Sequence, residues 1–120
     1  MGELKLVSLH CDVMYKDKRA GRLDIEDGVL LKNECYTDNF IEHPCSRSKT
    51  TFDIMEILLD RVICEGRCDS LMLEHIGVKE YNKFEIFKKV HGIDSDDFIW
   101  FKFDEDPISL CWEDVKPPSR

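Results

Sequence analysis

Residues 60–103, DRVICEGRCDSLMLEHIGVKEYNKFEIFKKVHGIDSDDFIWFKF, decide the fold. Asp69 or Ser70 can cap a short helix running through Ile76, and Gly77 supplies the left-handed residue that stops it. Asn82 and Glu85 form a capping-box-like pair ahead of Phe84, Ile86, Phe87 and Val90, and Gly92 closes that second helix. The run FIWFKF then places Phe98 and Trp100 on one face and Ile99, Phe101 and Phe103 on the other. A strand apolar on both faces is expected inside a sheet, and Trp100 needs an acceptor for its indole N–H.

Working towards the N-terminus, Thr50 or Thr51 caps a helix whose Ile54, Met55, Leu58 and Val62 recur at spacings of three and four, with CEGR as connector behind it. Asn33 to Lys49 shows no sustained periodicity and predicts a loop. Before it, apolar Val7, Leu9, Cys11, Val13 and Tyr15 alternate with Ser8, His10 and Asp12, which predicts a half-buried strand over Leu4–Tyr15. Lys16 to Gly21 reads as a polar turn, Arg22 to Glu26 as a second strand, and Asp27-Gly28 as a hairpin turn into a third strand bearing Val29 and Leu31. Beyond Phe103, Ile108, Leu110 and Trp112 alternate as in a brief edge strand. The sum is an α+β domain over residues 1–115, with a flexible tail at 116–120. Its small antiparallel sheet joins an N-terminal β-meander to a late central strand, covered by two or three short helices.

Composition narrows the function. A length of 120 residues suits one domain. Net charge is −8, from 25 acids against 17 bases, which weighs against direct binding to a phosphate backbone. Lys16, Lys18, Arg19 and Arg22 cluster at one turn, where a solvated hairpin tip is the simpler reading. No apolar run is long enough to span a membrane and no secretory leader is apparent, so a cytoplasmic location is expected. Six cysteines are many for such a chain; only Cys64 and Cys68 are closely spaced, and His43 with Cys45 would complete a zinc set only on paper. Neither a cofactor nor a metal is expected. Cys64 or Cys68 beside Arg67 is the one tempting nucleophile, and no histidine base lies near either in sequence.

Short motifs along the chain resemble the N-terminal accessory module of bacterial HipA-like kinase-domain proteins. Met14, Lys16 and Asp17 match an M-x-K-D hairpin; His43-Pro44 matches a His-Pro loop; Asp60-Arg61-Val62-Ile63 with Arg67 matches D-R-x-I-P-x-x-R. Gly92, Asp97 and Trp100 match G-x-S-x-x-D-x-x-W, with Asp94 at the serine position and Cys64 at the proline. The kinase portion and its phosphate loop are not among these residues. The resemblance therefore implies a free-standing, non-catalytic module that docks onto a kinase-like toxin as a regulatory or antitoxin-like partner. The same residues have a plain structural reading, in which Arg67 bonds helix-terminal carbonyls and Asp97 pairs with Arg61 or Arg67.

A second possibility is an acidic anti-defence inhibitor, such as an anti-CRISPR protein, that binds a host nucleic-acid enzyme. Asp94, Asp96, Asp97, Asp104, Glu105 and Asp106 would then imitate phosphate charge. The candidate interaction residues are thus Arg61, Arg67, Trp100 and those six acids.

Overall fold

The computed structural model describes residues 8–94 and 97–116. A meander of β1 (Leu9–Tyr15), β2 (Lys18–Glu26) and β3 (Val29–Cys35) is followed by helices α1 (Thr51–Leu59), α2 (Ser70–Ile76) and α3 (Lys83–Lys89). Strand β4 (Ile99–Phe103) and a short α4 (Trp112–Val115) complete the described chain. All strand pairings are antiparallel, in the order β3-β2-β1-β4. The α+β class expected from the sequence is the one observed.

Side chains of alternate residues sort onto two faces. Leu9, Cys11, Val13, Leu23 and Ile25 of the meander, with Ile99, Phe101 and Phe103 of β4, pack beneath Ile54, Met55 and Leu58 of α1 and Ile86 and Phe87 of α3. The caps read from sequence form as expected. Thr50, Asp69 and Asn82 accept backbone N–H bonds from Asp53, Met72 and Glu85, at 3.1, 2.9 and 3.0 Å. Gly77 ends α2 at φ +96°. Gly92 sits at φ +63° after α3, where an added Cβ would run into the rings of Phe87 and Phe101.

Four details differ from expectation. The first turn is Lys16-Asp17 alone, and β2 starts at Lys18, because a bulge at Ala20 lets the chain pair through the basic segment. Gly21 therefore lies within a strand, where it admits the ring of His43 and the Glu34 carbonyl, which a side chain would exclude. Residues 33–35, expected in a loop, belong to β3, whose polar character follows from its place at the sheet edge. Leu4 to Val7 of the expected first strand lie outside the described residues.

The third difference concerns β4. It is not central but an edge strand beside β1. Its two apolar faces are nonetheless both covered, because Met14, Trp100 and Trp112 build a second small core on the outer face, with Phe98, Ile93, Leu110 and Val115 around it. Its outer edge is closed as well. Even-numbered residues bond β1, so the N–H groups of Ile99, Phe101 and Phe103 point outward. They donate to the Asp97 carboxylate (3.0 Å), the His91 carbonyl (2.9 Å) and the Asp106 carboxylate (2.8 Å). Fourth, the expected strand at Ile108–Trp112 is absent among the described residues. Ile108 is 96% exposed, and helix α4 begins at Trp112 because Asp17 and Asp114 accept the N–H groups of Trp112 and Cys111.

Candidate functional site

Of the motif residues, Arg61, Gly92, Asp97, Trp100, Lys16 and Asp17 lie around β4, whereas His43 packs against β2 and Arg67 stands apart. Arg61, just past α1, reaches across to it with its side chain only 9% exposed. Nε donates to the Gly92 carbonyl at 2.7 Å, both terminal nitrogens meet the Asp97 carboxylate at 2.8 Å, and Nη2 also reaches the Ile99 carbonyl at 3.2 Å. This planar fork joins the end of α1, the turn after α3 and the start of β4. On the opposite face, the indole N–H of Trp100 donates to the Lys16 carbonyl at 2.6 Å, the Lys16 ammonium lies over the Phe98 ring, and Asp17 caps α4. His43, from the His-Pro loop, is fully buried against Gly21.

Burial pushes the His43 pKa down, opposed by the Glu34 carbonyl, and Nδ1 accepts the Cys45 N–H at 3.3 Å. The ring is thus held neutral. Burial also raises the Cys11 thiol strongly and pushes Cys45 up to about 12, so neither is a nucleophile. Cys64 is exposed and Cys68 buried, and His43, Cys45, Cys64 and Cys68 do not come together as a metal site among the described residues.

Five of the six candidate acids serve internal contacts. Asp97 holds Arg61; Asp104 takes the Arg22 guanidinium through two bonds of 2.6 and 2.8 Å; Asp106 caps Phe103 and faces the His91 ring. Glu105 reaches Lys88 at 3.5 Å, Asp94 is engaged within the fold, and Asp96 lies outside the described residues. The basic cluster at the first hairpin is likewise neutralised: Lys18 pairs with Glu42 and Arg19 with Asp12.

A charge lattice that sequence reasoning missed covers the open part of the outer face. Arg22 grips Asp24 as well as Asp104, while His10 bonds Asp24 (2.8 Å) and Glu26 (2.7 Å) through its two ring nitrogens. The Asp24 and Glu26 carboxylates raise the His10 pKa, and Arg22 lowers those of Asp24 and Asp104. His10, Asp24 and Asp104 stand close enough to share a cation, but Arg22 already fills that role for both carboxylates. Residues from three strand segments meet here at no fixed sequence spacing, so no motif could have announced them.

Two concavities stand out among the described residues. The smaller, about 700 Å³, lies between the Pro44–Ser48 loop and the exposed side of α1. The larger, about 920 Å³, runs between the α1–α2 connector, α3 and the segment leading into α4. Ile63, Met72, Ile76 and Leu110 supply its apolar lining, and Arg67 and Lys89 stand along it. Arg67 bonds no carbonyl of α1 and no aspartate; its side chain has no hydrogen bond or ion pair among the described residues. No family model, curated protein or solved structure matches this chain. No helix of the described residues is long and apolar enough to cross a membrane.

Proposed function

We propose that the chain is a non-catalytic protein-interaction module, the regulatory or antitoxin-like partner of a HipA-like kinase. One observation carries the reading: Arg67, which the resemblance groups with Arg61, takes no part in the frame that Arg61 builds and stands without a partner among the described residues on a groove of about 920 Å³. A charged side chain with no partner among the described residues, lining a groove together with exposed Met72, is placed as an interface residue would be. The reading is favoured over an acidic inhibitor that imitates phosphate, because Asp97, Asp104 and Asp106 are already committed to Arg61, Arg22 and the β4 backbone.

Co-expression with a HipA-like kinase from the same genome tests the proposal. A stoichiometric complex that survives gel filtration is the expected result. Separate elution of the two proteins at low salt would count decisively against it.

A further inference from the structure

We infer that the groove between the α1–α2 connector, α3 and the approach to α4 receives an acidic amphipathic segment of a protein partner, with Arg67 and Lys89 meeting its carboxylates. The inference rests on the protein-binding reading and gives that partner a chemistry.

The chain carries a net charge of −8, so acids are in surplus and an arginine has many possible partners. Arg19, Arg22 and Arg61 all hold carboxylates, and Arg47 is engaged too; Arg67 holds none among the described residues. Lys89 is also unpaired among the described residues, whereas its neighbour Lys88 reaches Glu105. Against the basic side chains Arg61, Arg67, Lys89 and Lys116 the groove sets the acids Asp94 and Asp114, of which Asp114 accepts the Cys111 N–H within the α4 cap and Asp94 is engaged within the fold. Of the groove's other basic side chains, Arg61 is held by Asp97 and Lys116 by Glu113, and the His91 ring faces Asp106. Two free positive charges therefore flank an apolar trough that includes Met72, a side chain able to adapt to varied apolar anchors. A volume of about 920 Å³ accommodates several side chains of a bound segment. Backbone addition at the adjacent sheet edge is closed off, since the outward N–H groups of β4 are all capped, so recognition must come through side chains.

The test uses the full chain and two fluorescein-labelled synthetic helical peptides with the same leucine pattern, one bearing glutamates and one lysines. Fluorescence anisotropy is expected to show the glutamate peptide binding at least roughly tenfold more tightly than the lysine peptide. The double variant Arg67→Glu/Lys89→Glu should remove that preference, while Lys32→Glu/Lys49→Glu, which changes net charge equally on exposed residues outside the groove, should retain it. Equal binding of the two peptides, absence of glutamate-peptide binding, or equal loss in both double variants would overturn the inference. Circular dichroism confirms that each variant is folded. Because the peptides replace the partner, failure here leaves the co-expression result standing, and the converse also holds.

Discussion

The two edges of the sheet are finished in opposite ways. At β4 every outward N–H has a partner drawn from within the fold, and the Arg61–Asp97 fork ties the edge to both α1 and the turn after α3. At β3 the pairing Tyr36 N–H to Ala20 carbonyl sets the alternation, so the N–H groups of Asn33 and Cys35 face away from the sheet. That edge relies on a bulge near Leu31 and on the charges of Lys32 and Glu34, both of which discourage strand addition. An edge can thus be protected by satisfying its backbone or by making it a poor template. Only the first also stiffens the ground on which a neighbouring groove is built.

The largest effect should come from breaking the closed edge. Asp97→Ala strips a nearly buried guanidinium of its counter-charge and frees the Ile99 N–H, and is expected to cost about 3 kcal/mol in urea denaturation. Amide exchange should then quicken at Ile99 more than at Phe101, whose N–H is held by the His91 carbonyl.

A second contrast sharpens the comparison through pH. His43 lies under the β2–β3 side and its pKa is lowered, so its contribution to stability is full above the ordinary value of 6.5 and declines as pH falls through the depressed folded value. His10, with its pKa raised by Asp24 and Glu26, has the opposite sign: its contribution is full below 6.5 and is lost as pH rises through the folded value. Stability profiles of His43→Gln should therefore be flatter on the acid side of 6.5, and those of His10→Gln flatter on the alkaline side. A His43→Gln profile parallel to the parent below 6.5 would show that the ring does not govern that limb.

The smallest effect is expected at the open edge. Lys32 has no ion pair among the described residues, and Lys32→Ala should change stability by less than about 0.5 kcal/mol while leaving Asn33 and Cys35 amide exchange unaltered. A larger change would mean that the edge is protected by more than charge.

What the sequence determined by itself is local. Alternation in β1 and β2, the Asp27-Gly28 turn, the caps at Thr50, Asp69 and Asn82 and the stop at Gly77 depend on contacts within a few residues, and all are present. The α+β class follows from their order. What only the tertiary structure decided is which distant groups meet. A strand apolar on both faces can be central or can be a covered edge, and β4 became the latter because Trp112 returns over Met14 and Trp100. Asp97 could have paired with Arg61 or Arg67; the position of Arg61 just beyond α1, facing the Gly92 turn, selected it and left Arg67 to the groove. Gly21 looked like a turn residue until His43 was seen packed against it. Sequence patterns encode periodicity and capping over a turn or two, whereas partner choice across many residues is set by the packing of the whole core.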